Sequence, residues 1–261
     1  MADELILTEV RDGVGVATFN RPEVMNAFTD DMRQELLTAL EGFSGDDDVR
    51  CIVLTGAGRA FCAGGDIASM TVLQDDGDTS VVQGRMKTAA RVVHLLAEVS
   101  KPTIAAINGP AAGAGMNVAL ACDMRVGSDR ALFSESFVKI GLVPDWGGFH
   151  TLTQLIGTAK AMELMMTGDR VDAATAERLG LLNHVYPHDT FEQDWRAFAQ
   201  RLATGPATAL AQIKRGVQIG ATGSIDDALA HEYDTQSEVF LSADAREGMR
   251  AFLEKRPPQF R

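Results

Sequence analysis

The sequence predicts an α/β fold, and three observations support that prediction. Short apolar runs rich in β-branched residues alternate with helical patterns over residues 1–190. Two of these runs lead directly into glycine-rich loops, at residues 56–67 and 107–115. From Phe149 onward the pattern is mainly helical, apart from one short strand. We therefore divide the chain into a core of residues 1–190 and a C-terminal helical region of residues 191–261, with no linker between them.

The first predicted elements are two strands followed by a helix. Residues 5–7 and 14–19 are strand-like, and a turn at residues 12–13 joins them. Thr29 or Asp30 can cap the following helix, because both residue types are preferred at helix N-termini. Apolar residues recur there at steps of three and four: Met32, Leu36, Leu37, Leu40 and Phe43.

The central part of the chain alternates strands and helices again. Residues 51–55 and 103–107 are apolar strands that each lead into one of the glycine-rich loops. Residues 81–99 form a long predicted helix, and residues 73–79 before it have the composition of a mobile segment. Further short strands are predicted at residues 124–127, 131–133 and 184–186.

The two glycine-rich loops are candidates for a shared anion-binding site. The second loop runs into a helical pattern at residues 116–121, and a helix start leaves backbone N–H groups without partners. Each loop can supply one N–H to a carbonyl oxygen that becomes negative during a reaction. The alternative is that the small residues serve only a tight strand–helix junction.

Several motifs in one order resemble a known family. Phe61-Cys-Ala-Gly-Gly-Asp-Ile67 and Ile107-Asn-Gly-Pro-Ala-Ala-Gly-Ala-Gly115 closely resemble the crotonase (enoyl-CoA hydratase/isomerase) superfamily. The resemblance extends from residues 19–27 to residues 247–256. It implies a crotonase-type (ClpP/crotonase) spiral of ββα repeats with a C-terminal helical region. It also implies that residues 1–190 bind acyl-CoA and that residues 191–261 mediate assembly into homotrimers or dimers of trimers.

The resemblance assigns the oxyanion hole but not the usual acid–base pair. It implies that the N–H groups of Ala63 and Ala114 bind the thioester carbonyl of an acyl-CoA. Family hydratases carry two glutamates, at positions that Asn117 and Phe137 occupy here. Neither residue can exchange a proton near neutral pH. A standard two-glutamate hydratase is therefore less expected than an enoyl-CoA isomerase.

Asp145 is the leading candidate for the proton-transfer group. It lies in the Pro-Asp-x-Gly-Gly pattern of residues 144–148, which resembles family members that act as isomerases, including epoxyphenylacetyl-CoA isomerases. Against the apolar Phe137 and Trp146, its pKa is expected to rise toward a value useful for shuttling protons. The alternative is that Asp145 only caps the helix that follows.

The remaining substrate contacts are also implied by the resemblance. Residues expected to line the coenzyme A and acyl path are Met25, Gly64, Asp66, Ile67, Gly113, Asn117, Phe137 and Trp146. Phe252 and Lys255 are expected to cover the coenzyme A of a neighbouring subunit, although a solvated basic tail is the simpler explanation of Lys255. Arg21 is a further candidate for a phosphate contact.

Composition limits the possible partners and the location of the protein. A net charge of −12 argues against nucleic acid and anionic membranes as partners. No apolar run is long enough to span a membrane, and the basic start of a signal peptide is missing, so we expect a cytoplasmic protein. Three cysteines and five histidines show no metal-ligand spacing. We expect no metal and no cofactor, because coenzyme A is part of the substrate.

Two further hypotheses remain open at this point. Asp145 could act as a nucleophile in a hydrolase or dehalogenase, a chemistry that needs a histidine base nearby. The chain could also be a non-catalytic acyl-CoA binder that lost its glutamates.

His94 is expected to pair with Glu98 one helical turn away. Glu135 is expected to form a surface ion pair, for which Lys139 is the flanking cation.

Overall fold

The computed structural model describes residues 4–77 and 79–260. Nine strands are found in this part of the chain: β1 (Ile6–Arg11), β2 (Val14–Phe19), β3 (Cys51–Gly56), β4 (Thr103–Ile107), β5 (Pro110–Ala112), β6 (Met124–Ser128), β7 (Leu132–Ser134), β8 (Arg170–Asp172) and β9 (His184–Tyr186). Six of them form the main sheet in the order β1-β2-β3-β4-β6-β9, and β5-β7-β8 form a second sheet. In the main sheet β1 is antiparallel to β2 and the other pairs are parallel.

Ten α-helices connect and cover the strands in the described residues: α1 (Asp30–Gly45), α2 (Ile67–Asp76), α3 (Thr79–Glu98), α4 (Ala114–Leu120), α5 (Gly148–Thr167), α6 (Ala173–Leu179), α7 (Phe191–Ala203), α8 (Ala207–Thr222), α9 (Ile225–Phe240) and α10 (Ala243–Glu254). Short 3-10 turns occur at Pro22–Val24 and Ser136–Ile140. Among the described helices, none has the length and hydropathy that a membrane crossing requires.

The inner strands β2, β3 and β4 of the main sheet are buried on both faces, and the alternation of their side chains explains why. On β3, Ile52 and Leu54 pack into the larger core with α1 and α3, whereas Cys51 and Val53 pack into a second core on the opposite face. Successive residues of a strand point to opposite faces, so a strand covered on both sides is apolar throughout. This is why residues 51–55 form a continuous apolar run.

The helical pattern near the C-terminus contains two kinds of helix. Helix α7 closes the second core, and its buried residues are Phe191, Trp195, Phe198, Ala199 and Ala203. Helices α8 and α9 have no buried residue in this single chain. The packing therefore changes after α7, although the domain division at residue 190 stays a prediction.

Most of the predicted elements are confirmed. The turn at residues 12–13 has positive φ at both residues, and Thr29 caps α1 through a hydrogen bond from Met32 N–H. The three-residue strands β5 and β8 were not predicted. Residues 73–76 of the segment predicted to be mobile are the last residues of α2, and Thr79 begins α3. Asp78 of that segment lies outside the described residues.

Candidate active site

The two glycine-rich loops lie against each other. Phe61 and Cys62 N–H donate to the carbonyl of Pro110, and Ala112 N–H donates back to the carbonyl of Cys62. Gly64, with φ of 101°, lies over the start of α4: a Cβ at this position would be 2.8 Å from Ala112 O and 3.6 Å from Ala114 N. The predicted convergence of the loops is therefore present.

Asn26 holds the first loop in place. Its side-chain amide, which is fully buried, donates to the carbonyls of Ala57, Ala60 and Phe61. Its Oδ1 accepts the N–H of Arg21. A buried amide with all of these partners fixes the loop backbone, because breaking one contact would leave a buried polar group unpaired.

The assignment of Ala63 as an oxyanion donor is corrected by the backbone hydrogen bonds. Ala63 N–H donates to the carbonyl of Met25 at 2.9 Å, so it is already engaged. Two residues further on, Gly65 N–H has no acceptor among the described residues, and neither has Ala114 N–H. The unpartnered donor pair at this site is therefore Gly65 and Ala114.

Gly113 and Phe137 shape the neighbourhood of Ala114. Gly113 precedes α4 with φ of 50°, and its N–H donates to Ser134 O. A Cβ on Gly113 would lie 3.6 Å from the ring of Phe137, which is buried. Phe137 therefore forms an apolar surface beside the helix start.

Asp145 does not cap the following helix. Gly147 is the N-cap of α5, and no side chain caps that position. The carbonyl of Asp145, rather than its carboxylate, accepts a hydrogen bond from Gly148 N–H. The carboxylate oxygen Oδ1 is buried without a hydrogen-bond partner. The capping alternative is therefore excluded in this structure.

Two sets of contacts connect Asp145 to the two loops. Asn117, in the first turns of α4, donates from Nδ2 to the carbonyl of Asp145 at 2.9 Å. Trp146 stacks on Phe28 with ring centroids 4.9 Å apart, and Phe28 forms a β-bridge with Gly65. Asp145 is thus held between the elements that carry the two free N–H groups.

Burial and a nearby guanidinium set the charge of Asp145. Desolvation raises the pKa of Asp145 to about 6, while Arg33 and the residue's own backbone N–H act in the opposite direction. Arg33 is itself buried and bonds to Asp30 at 2.8 Å, and its Nε has no hydrogen-bond partner. A carboxyl with this pKa can accept and release a proton near neutral pH.

Glu135 is not on the surface, so the expected ion pair with Lys139 is wrong. Its side chain lies in the interior, and neither of its carboxyl oxygens has a hydrogen-bond partner within the described part of the chain. Burial raises the pKa of Glu135 to about 8; contact with the Asn117 amide lowers it and the charge of Asp145 raises it further. A second carboxyl therefore lies beside Asn117 and Asp145.

Glycine is required next to Asn117. A Cβ on Gly148 would lie 2.3 Å from Asn117 Nδ2, a distance that no packing tolerates. The first residue of α5 must therefore be glycine for the Asn117 amide to reach the carbonyl of Asp145. This close approach gives a physical reason for the second glycine of the Pro-Asp-x-Gly-Gly pattern.

The residues predicted to line the coenzyme A path lie around the first loop. Met25 has φ of 52°, and Ile67 is half exposed at the start of α2. Asp66 caps α2 and pairs with Arg21 at 3.0 Å. Burial opposes this charge, but the Ser69 N–H and Arg21 keep the pKa of Asp66 below its usual value. Because Arg21 is paired with Asp66, it is not a free cation for phosphate.

Within the described part of the chain, no hydrogen bond connects Phe252 or Lys255 with the two loops or with Asp145. They lie at the end of α10, which packs on α9, and Phe252 is 82% exposed. Lys255 ends the helix in the left-handed conformation. Their predicted contact with a neighbouring subunit's coenzyme A stays a prediction.

The described residues give little support for a reactive cysteine, for a histidine base beside Asp145 or for a metal site. Cys62 is fully buried, and burial raises its pKa to about 12, so the thiol is neutral. His94 is exposed and pairs with Glu98 as expected, and no histidine of the described chain is hydrogen bonded to Asp145. No cluster of potential metal ligands occurs among the described residues.

The chain matches the profile of the enoyl-CoA hydratase/isomerase family over residues 9–261. It belongs to the enoyl-CoA hydratase/isomerase family. The fold is therefore the crotonase fold, and this family member is an enzyme that acts on acyl-CoA substrates. The match covers the two loops, Asp145 and the C-terminal helices together.

The proteins similar to this family member include some that are named hydratase and one that is named isomerase. A Rhodobacter capsulatus protein named "Probable enoyl-CoA hydratase" is 41% identical, covering 100% of this chain and 99% of its own. The 1,2-epoxyphenylacetyl-CoA isomerase of Escherichia coli is 39% identical, with 98% of each chain covered. A crystal structure of an enoyl-CoA hydratase from Polaromonas sp. JS666 superposes with a TM-score of 0.92 at 32% identity, covering 98% of this chain and 99% of the other.

Three contributors to the site were missed in the sequence, and two of them left a signal. Arg33 interrupts the apolar face of α1, since Leu36, Leu37 and Leu40 follow it at steps of three, four and seven. Glu135 alternates with the buried residues Phe133 and Phe137. Nothing in the sequence distinguishes Gly65 from Ala63, because the difference lies in a hydrogen bond to Met25.

Proposed function

We propose that this protein is an enoyl-CoA isomerase, in which Asp145 shuttles a proton between two carbons of the acyl chain. The proposal rests on one observation. Asp145 is a half-buried carboxyl with a pKa of about 6, and it lies between the two elements that carry the unpartnered N–H groups of Gly65 and Ala114. A thioester carbonyl that accepts both N–H groups would carry the negative charge of an enolate.

The proposed reaction needs only one carboxylate. Asp145 removes a proton from the α carbon of a 3-enoyl-CoA, and the electrons of that C–H bond pass into the thioester carbonyl, which gives a dienolate with its charge on the oxygen. The Gly65 and Ala114 N–H groups stabilise that oxygen. Asp145 then returns the proton to the γ carbon, which gives the conjugated 2-enoyl-CoA. Phe137 and Trp146 are buried apolar groups that would keep water away from the dienolate.

Hydration is a second candidate, because most of the similar proteins have hydratase in their names. In this chain Asn117 and Phe137 replace the two glutamates, so water would need another base and another acid. Glu135 and Asp145 are the two carboxyls available beside Asn117. Hydration would therefore require both Glu135 and Asp145 to transfer protons, whereas isomerisation requires only Asp145.

A substrate panel separates the candidates. We expect purified protein to convert 3-enoyl-CoA into 2-enoyl-CoA, measured by the appearance of the conjugated thioester absorbance. We expect no comparable addition of water to 2-enoyl-CoA. Hydration that is faster than migration would favour the hydratase, free coenzyme A or halide would favour the hydrolase, and tight binding without turnover would favour a binding protein.

The pH dependence follows from the same carboxyl. Asp145 must be ionised to remove a proton, and its pKa is raised to about 6. The turnover rate should therefore be constant between about pH 7 and pH 8 and should fall as the pH decreases through 6, because protonated Asp145 cannot act as a base. Initial rates across this range at saturating substrate test it; a rate that is independent of pH down to 5 would contradict it.

The remaining expectations belong to the same proposal. Coenzyme A would bind along Met25, Gly64, Asp66 and Ile67 as part of the substrate, and no separate cofactor would be needed. A homotrimer or a dimer of trimers would cover the exposed apolar residues of α8 to α10, which include Ile213, Val217, Tyr233, Phe240, Phe252 and Leu253. We keep the cytoplasm as the proposed location.

A further inference from the structure

Besides Asp145 Oδ1, three buried oxygen atoms around Asn117 have no hydrogen-bond partner. They are Asn117 Oδ1 and both carboxyl oxygens of Glu135. Asn117 is fully buried, and Glu135 is only 1% exposed. An unpaired buried polar atom typically costs about 1–3 kcal/mol, so three in one cluster call for a physical account.

The orientation of the Asn117 amide is determined by Asp145. The carbonyl of Asp145 lies 2.9 Å from Asn117 Nδ2, and a carbonyl can only accept a hydrogen bond. Rotating the amide by half a turn would place two acceptor oxygens against each other. Asn117 Oδ1 therefore points away from Asp145, and its missing partner must be a donor.

Glu135 can supply that donor if it carries a proton. A neutral carboxyl has one O–H donor, whereas an ionised carboxylate can only accept. One proton on Glu135 would give both Asn117 Oδ1 and one carboxyl oxygen a partner. We propose that Glu135 is a neutral carboxylic acid that donates to Asn117 Oδ1 and thereby positions Asp145 through the Asn117 amide.

The charged groups around Glu135 favour this protonation state. Asp145 is the one charged group recorded as acting on it, and its negative charge opposes a second negative charge nearby. Lys139, in the following turn, packs its stem against Gly168, and the Glu135 oxygens have no hydrogen-bond partner among the described residues. Arg170 and Asp172, on the neighbouring strand β8, are exposed. Burial, the largest cause, and the charge of Asp145 raise the pKa of Glu135 to about 8, although the Asn117 side chain acts in the opposite direction.

This inference goes beyond the proposed function but rests on it for the role of Asp145. The protonation state of Glu135 can be measured without substrate, so it can succeed or fail independently of the isomerase assignment. In the infrared spectrum at pH 7, we expect a carbonyl-stretch band from a protonated carboxyl. That band should disappear in Glu135→Gln and remain in Glu98→Gln, a control on the exposed end of α3.

Stability gives a second measurement that does not depend on turnover. The pKa of Glu135 is raised in the folded chain, so folded protein holds the proton between about pH 4.5 and 8 while unfolded protein has released it. The wild type therefore loses stability as the pH rises through this window. Glu135→Gln removes the loss, and its midpoint of thermal unfolding should rise relative to the wild type from pH 5 to pH 8.

Activity tests the positioning role. Glutamine can donate from its amide to Asn117 Oδ1, so Glu135→Gln should keep the wild-type kcat at pH 7 and lose any decline of kcat above pH 8. Glu135→Met removes the donor at similar volume, and we expect kcat to fall by about tenfold with little change in KM. The Gln variant would then rescue what the Met variant loses.

Each result decides the inference. Absence of the carboxyl band in the wild type at pH 7, or its survival in Glu135→Gln, would overturn the protonation state. A wild-type kcat in Glu135→Met would overturn the positioning role, whatever the spectrum shows. If the protein does not isomerise any enoyl-CoA, the spectrum and the stability difference still report on Glu135, so the two proposals fail separately.

Discussion

Replacing Asp145 by asparagine should remove double-bond migration almost completely. Asparagine has nearly the same shape, so it preserves the packing beside Trp146 and Phe28, but it cannot accept a proton from carbon near neutral pH. A positioned general base contributes about 100- to 10,000-fold to a rate, and we expect kcat to fall by that range. The measurement is the initial rate of formation of the conjugated thioester from a 3-enoyl-CoA.

The control for this variant has to separate lost chemistry from lost folding. Burial raises the pKa of Asp145 from its usual value to about 6, so the ionised form destabilises the folded chain above that pH. Asp145→Asn removes this penalty and should unfold at the same or a higher temperature at pH 7. Asp169→Asn, which changes an exposed aspartate, should keep wild-type activity. An active Asp145→Asn protein would eliminate Asp145 as the proton shuttle.

The elements of the main sheet and of α1 were predictable because their patterns are long and periodic. The face of α1 repeats apolar residues over four turns, and β2, β3 and β4 are buried on both faces. Strands β5 and β8 have three residues each, which is too short for any period to emerge. They form because β5 and β8 each pair with one edge of β7. This is a tertiary contact that the local sequence pattern does not show.

The candidate site was predictable in position but not in detail. The glycine-rich loops pack against each other as predicted, and Asp145 contacts the helix that follows the second loop. The choice between Ala63 and Gly65 depends on the Met25 carbonyl, which occupies one N–H and leaves the other free. Likewise, the burial of Glu135 depends on the packing of the 3-10 turn at Ser136–Ile140, and local composition favoured the surface instead.

The surroundings of Asp145 and Glu135 account for the different protonation states that we propose for them. Arg33 acts on Asp145 and lowers its pKa, whereas the charge of Asp145 acts on Glu135 and raises its pKa. Two carboxyls in one buried cluster cannot both ionise easily, since each charge opposes the other. The environment therefore separates their pKa values, and Asp145 becomes the base while Glu135 keeps its proton.

The second large effect is expected from removing the N–H of Ala114. Proline is tolerated at the first position of a helix, and Ala114 is that position in α4. Ala114→Pro would therefore delete one oxyanion donor while keeping the helix, and we expect kcat to fall by about 100- to 1000-fold. The rate is measured on the same 3-enoyl-CoA, and binding of the substrate is measured separately.

A matched proline distinguishes the lost donor from a general effect of proline. Ala243 is the first residue of α10, far along the chain, and Ser242 caps that helix through Ala245 N–H. Ala243→Pro should keep wild-type activity. Because Ala114 is buried beside Gly64, a backbone ester in place of its amide provides a smaller change that removes only the N–H. If the ester variant turns over at the wild-type rate, the thioester oxygen does not depend on Ala114, and the enolate must be stabilised by another group.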